Sequence, residues 1–180
     1  MSQTNRRRID IVRSPQFTED LESVAVDELR RRRKTCADLD VELSYYRRLL
    51  HGRMDLLAFE LRRRRGEEER TLLEALPEIL AGGGAVSGGL PERQVEVAVP
   101  QLPEKGRRAV DRALADDFLV RLPDLPADEL AEVQSMLTDV EAEVSAQRRE
   151  VYDAHDRIQQ ELTRRYREGL LSVDELLRQG

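Results

Sequence analysis

One internal duplication constrains what this chain of 180 residues can fold into. Residues 27–65 and 128–166 align without a gap at an offset of 101, and thirteen of the thirty-nine aligned positions are identical. The identities include Asp27 with Asp128, Leu29 with Leu130, Ser44 with Ser145, Arg47 with Arg148, Asp55 with Asp156, Glu60 with Glu161 and Arg64 with Arg165. Any architecture must therefore give two copies of one segment equivalent surroundings. Two zippered helices would share leucines for packing alone. A shared serine, arginine and aspartate at positions that packing does not need asks for another reason, and a ligand with two equivalent halves supplies one.

The copies are helical. Leu29, Cys36, Leu43, Leu50 and Leu57 recur every seven residues, joined by Leu39, Tyr46, Met54 and Leu61, which is the seam of a coiled coil. This predicts a helix from near Thr18 or Ser23 to about residue 65, with Lys34 to Ala37 as the place where a break would fall. The second helix is predicted from about Ala127 to about residue 168, with Leu130, Val133, Leu137, Val140, Val144, Val151, Ile158 and Leu162 as its seam. With 37% charged residues, 4% aromatic residues and no Trp, a thick globular core is not available. The fold expected is all-α: a long antiparallel two-helix coiled coil with short accessory helices and a Gly/Pro-rich linker.

Five segments follow from this reading. Residues 1–18, basic and aperiodic, are expected to be a disordered arm; 19–66 form the first long helical repeat. Residues 67–124 are a linker with short helices, one at Thr71 to Leu80 and another at Glu104 to Val120. Between them, residues 82–103 carry Gly82-Gly83-Gly84 and Gly88-Gly89, and the strand-like alternation of 94–102 is isolated by Pro100 and Pro103. Leu-Pro-Asp-Leu-Pro at 122–126 halts the chain before the second repeat, 125–168. Residues 169–180 end in a short helix, Val173 to Arg178, announced by the capping-box pattern Ser172-x-x-Glu175. The single Cys36 rules out an internal disulfide, and the absence of a signal-like or long apolar stretch predicts a cytoplasmic protein away from membranes.

Beside the seam runs a second stripe. At 100° per residue, Asp40, Ser44, Arg47, His51 and Asp55 fall within about 80° of one another and climb roughly 22 Å. The second copy repeats the stripe with Glu141, Ser145, Arg148, Tyr152 and Asp156. Packing of the two seams makes the stripes border one groove or flank, so all ten residues are expected to converge on an elongated site. The bland explanation is a solvated flank whose arginines pair with acids one turn away; the duplication weighs against it. Net charge is −6, yet basic blocks at 6–8, 30–34 and 62–65 leave local surface able to bind an anion. Chemically, a carboxylate accepts the paired N–H donors of a guanine edge, arginine donates in bidentate fashion to O6 and N7, and hydroxyls suit phosphate oxygens. Arg47 with Asp55, and Arg148 with Asp156, offer both complements twice. Arg48, Arg53, Arg149 and Arg157 are near enough to add positive charge for phosphates.

These residues resemble the RsiG-type anti-sigma factors that respond to cyclic di-GMP. That family carries paired E-x3-S-x2-R-x3-Q-x3-D motifs on two antiparallel helices. Here the first copy reads D-x3-S-x2-R-x3-H-x3-D from Asp40 to Asp55, and the second E-x3-S-x2-R-x3-Y-x3-D from Glu141 to Asp156. Both spacings are kept, while Asp40 replaces Glu, and His51 and Tyr152 replace Gln. LSYYRRLLHGRMDLL at 43–57 also looks like the family's most recognisable segment. The resemblance implies a cyclic di-GMP dimer, two ligands per chain, bound by the ten stripe residues. It also implies capture of a flagellar or sporulation-type sigma factor away from RNA polymerase.

Other classes remain. A structural coiled-coil adaptor without a nucleotide would need none of the stripe residues. A DNA-binding reading rests on Arg30 to Lys34 ahead of a zipper, but the block has no asparagine for base reading and the chain is acidic overall. An enzyme is not expected. His51 and His155 are not equivalent in the repeat, and there is no metal-ligand spacing or phosphate-binding glycine loop.

Overall fold

The computed structural model describes residues 8–82, 109–114 and 118–169. Two long helices dominate it: α2, Val26–Arg64, and α6, Ala127–Arg167. Around them lie α1 (Arg8–Val12), α3 (Leu72–Gly82), α4 (Ala109–Ala113) and α5 (Phe118–Arg121), with no strand among the described residues. Both long helices open on acids, Asp27-Glu28 and Asp128-Glu129, and close on arginines, as the helix dipole favours. Their ends are set by glycine. Gly66 and Gly169 take φ of 74° and 70°, and at Gly66 the amides of Gly66 and Glu67 return to the carbonyls of Arg63 and Arg62, the six-to-one closure that seals a helix end.

The chain divides into two compact units, residues 1–41 with 146–180, and residues 42–145. In the first, Leu29, Cys36 and Leu39 of α2 and Val151, Ala154, Ile158 and Leu162 of α6 are buried. In the second, Leu43, Tyr46, Leu50 and Leu57 are buried with Leu130, Leu137, Val140 and Val144. The long helices touch within each unit: Arg33 Nη1 donates to Gln159 Oε1 at 3.0 Å in the first, and Arg47 reaches Glu141 in the second. Met54, Leu61 and Val133, placed in the seam by their spacing, are only half-buried.

Several expectations are corrected. Residues 8–18, expected in a disordered arm, form α1 and a 3-10 turn at Pro15–Phe17, because Ile9, Val12 and Phe17 are buried and Arg32 donates to the Gln16 and Phe17 carbonyls. The first long helix starts at Val26 rather than near Thr18 or Ser23. Asp20, with φ of 47°, and a 3-10 turn at Leu21–Ser23 occupy the chain ahead of it. No break falls at Lys34 to Ala37: the seam runs through buried Cys36, and Lys34 pairs with Asp38 across that turn. The described parts of the 67–124 linker contribute to the core, with Ala75, Val110, Ala113 and Leu122 buried. Of the helix expected from Glu104 to Val120, the described residues show α4 and α5, while 104–108 and 115–117 lie outside them. The glycine-rich 83–103 stretch with its strand-like segment, the first seven residues, and the helix at Val173 to Arg178 lie outside the described residues.

Candidate functional site

In the unit of residues 42–145, Arg47 and His51 stand one turn apart on α2, and Glu141 and Ser145 one turn apart on α6. All meet at one oxygen. Glu141 Oε1 accepts from Ser145 Oγ at 2.7 Å, from Arg47 Nε at 3.1 Å and from His51 Nε2 at 3.1 Å. Burial pushes the Glu141 carboxyl up, but the bonds from Ser145, His51 and Arg47 outweigh it and hold it at about 2. An ionised carboxylate can only accept, so Nε2 of His51 carries the proton. The cluster is partly open to solvent, with side-chain exposures of 39% for Arg47 and 21% for Glu141.

The unit of residues 1–41 and 146–180 holds a counterpart. Arg148 Nε donates to Asp40 Oδ1 at 2.8 Å and its Nη2 to the Tyr152 hydroxyl at 2.6 Å. That hydroxyl lies 3.4 Å from Asp40 Oδ2, and the guanidinium sits 4.8 Å from the Tyr152 ring centroid. The ring thus serves both as a hydroxyl partner and as a face for the cation.

Each unit therefore makes the same exchange: the acid opening one copy's motif receives the arginine of the other copy. Glu141 takes Arg47, and Asp40 takes Arg148. The fourth motif position, His51 or Tyr152, reaches the same opposite acid. On sequence grounds Asp55 joins Arg47, and Asp156 joins Arg148, as complements for a guanine. Those two acids stand exposed and outside both clusters, Asp156 with 71% of its side chain in solvent and the His155 ring 3.4 Å away. Ser44 is half-buried. Arg53, expected to face phosphates, donates to the Ala113 carbonyl at 2.8 Å and lies 5.0 Å from the Phe118 ring centroid, tying α2 to α4 and α5.

A second duplicated device was missed. Glu60, fully buried, accepts from Arg63 and Arg64, and Arg64 Nη2 continues to the carbonyls of Leu122 and Pro123 at 3.3 and 3.0 Å. In the other unit, Glu161 accepts from Arg164 and Arg165, and Arg165 Nη2 continues to the carbonyls of Leu21 and Glu22 at 2.7 and 3.1 Å. Adding 101 to 21 and 22 gives 122 and 123, and both carbonyl pairs belong to 3-10 turns just ahead of a long helix. The identities Glu60/Glu161, Arg63/Arg164 and Arg64/Arg165 were the available signal.

Residues 15–80 match the model of a family described as RsiG-like. Over that span the chain is similar to the RsiG-like proteins. The family is one of regulatory anti-sigma factors. The RsiG-like span contains the whole first motif, Asp40 to Asp55, together with Glu60, Arg63 and Arg64, and ends before the second copy. No curated protein matches the chain. Among the described residues no helix is long and apolar enough to cross a membrane, and no three His, Cys, Asp or Glu side chains group as a metal site.

Proposed function

We propose that this chain is an anti-sigma factor that binds cyclic di-GMP through its two repeated motifs and, when loaded, sequesters a flagellar or sporulation-type sigma factor from RNA polymerase. The observation that carries the reading is the exchange of acid and arginine between the two copies, made once in each unit of a chain whose first copy is RsiG-like. Each cluster holds a carboxylate for the guanine N–H edge beside a guanidinium for O6, N7 or a phosphate. Binding is then an exchange of partners: the acid passes from arginine to guanine, and the freed arginine turns to the ligand. Two ligands bring about four negative charges, which Arg47 and Arg148 begin to offset. Asp55 and Asp156, exposed at the end of each stripe, remain open to further N–H donors.

The helices that carry the motifs pair as an antiparallel coiled coil in this reading. Partner numbers that fall along α6 as they rise along α2 support it: Arg30 with Tyr166, Arg33 with Gln159 and Asp40 with Arg148, all within one unit. A sigma factor needs an apolar landing surface, and Leu73 and Val120, 80% and 78% exposed, offer one in the unit of residues 42–145. Ligand binding stabilises the paired helices by mass action, which makes a soluble messenger a clamp.

Calorimetry with cyclic di-GMP tests the reading. Two ligands per chain are expected, and Arg47→Ala or Arg148→Ala should weaken binding at least about tenfold, or about 1.4 kcal/mol. Folded protein that binds no cyclic di-GMP overturns the nucleotide assignment. Capture of a sigma factor that is indifferent to nucleotide would return the chain to a plain adaptor.

A further inference from the structure

The two arginine clasps carry a role that the nucleotide reading does not contain. We propose that Arg64 and Arg165 are positioning residues that fix the register in which α2 meets α6, and so bring each motif's acid to the other copy's arginine. The geometry is the same in both units. In one, Arg64 grips the carbonyls of Leu122 and Pro123 while Arg47, 17 residues earlier on α2, meets Glu141. In the other, Arg165 grips Leu21 and Glu22 while Arg148, 17 residues earlier on α6, meets Asp40. Each unit is thus a ladder with two rungs about 25 Å apart at 1.5 Å per residue.

A hydrophobic seam cannot supply this by itself. A heptad repeat reproduces its own pattern after a slip of seven residues, about 10 Å, so the leucines leave several registers nearly equal. A slip of one residue rotates facing side chains by about 100° and breaks bonds of ordinary length. Only one register sets the arginine fork against a 3-10 turn whose carbonyls can take its bonds, Leu21 O accepting Arg165 in addition to the Val24 amide. Glu60 and Glu161 make the fork rigid. Each takes the Nε of the gripping arginine, at 2.7 and 2.6 Å, and a second, bidentate arginine holds the carboxylate in place. Burial of Glu60 at 0% and Glu161 at 8% exposure keeps these bonds from competition with water.

The proposal rests on the nucleotide reading only where affinity is the measurement, so the test uses a signal that needs no ligand. The Glu141 carboxyl, held at about 2, reports whether Arg47 and His51 are still in place. Its titration is followed by carboxyl-carbon NMR in the full chain carrying Arg64→Ala, Arg64→Lys or Arg165→Ala, with helicity checked at the same temperature. Arg64→Ala is expected to move the Glu141 carboxyl upward toward 4.5. Arg64→Lys, which keeps the charge but loses the fork, should give a smaller rise and covers the case in which the alanine variant does not fold. Arg165→Ala, acting in the other unit, should leave Glu141 at about 2. A folded Arg64 variant with Glu141 unmoved overturns the proposal, and so does an equal shift from Arg165→Ala, which would mean general loosening. Cyclic di-GMP affinity is measured in parallel and should fall at least tenfold in both alanine variants. If the unaltered chain binds no cyclic di-GMP, the nucleotide reading fails while the Glu141 titration still decides the clasp.

Discussion

At the scale of single residues, the most telling group is the Glu141 carboxyl. Its folded value of about 2 lies below the ordinary 4.5. The stability it contributes is therefore fully present above about pH 4.5 and is lost as the pH falls toward 2. Taking about 1.4 kcal/mol per pH unit and discounting for solvent, the loss attributable to Glu141 should be about 2 kcal/mol. Urea titrations at pH 5 and pH 2.5 measure it, and Glu141→Gln should remove that component of the slope. Glu60, lowered by Arg63 and then Arg64, and Glu161, lowered by Arg164 and then Arg165, push the pH dependence in the same direction. Ser145 makes the shortest of the three bonds to Glu141 Oε1, so Ser145→Ala should raise the Glu141 carboxyl, as NMR titration would read. That Arg47, His51, Glu141 and Ser145 share a site was legible in the sequence, but their pairing was not. Spacing puts Arg47 and Asp55 on one face of a helix; it says nothing of which acid on another helix arrives within 3.1 Å.

At the scale of elements, the long helices were the most legible part. Their seven-residue period is written in the chain, and nearly every predicted seam position is buried. Leu50, fully buried in α2, should cost about 3 kcal/mol when replaced by alanine, with chemical denaturation as the measurement. Leu56 and Phe59 escaped notice because they lie off the heptad, and tertiary packing rather than periodicity buries them. The short elements were harder to foresee. The helix over Thr71 to Leu80 was visible as an apolar run, and its start is sealed by Thr71 and Glu74, each bonding the other's backbone amide. Thr71→Ala should therefore loosen α3 by about 1 kcal/mol, seen as faster amide exchange at Glu74 and Ala75. The 3-10 turns at Leu21–Ser23 and Leu122–Asp124 could not be anticipated as acceptors, since their value depends on arginines that arrive from far along the chain.

At the scale of the molecule, the duplication announced a shared purpose for the polar identities, and the structure divides that purpose in two. Arg47 and Arg148 enter the candidate ligand clusters; Glu60, Arg63, Arg64 and their counterparts serve assembly. The spacing of the motifs points only to the first set and leaves Glu60, Arg63 and Arg64 without a role, because identity alone does not distinguish a residue kept for binding from one kept for pairing. Glu60→Ala separates them. It should lower stability by about 2 kcal/mol, because a buried carboxylate that organises two arginines is lost, and calorimetric unfolding would show it.

The reciprocal exchange has one more consequence. Each copy is donor and acceptor at once, so it carries what its sister lacks, as the subunits of a symmetric homodimer do. Here both are written into a single polypeptide. Their meeting is first-order and cannot be undone by dilution, so whatever the paired motifs bind finds both halves already assembled at any protein concentration.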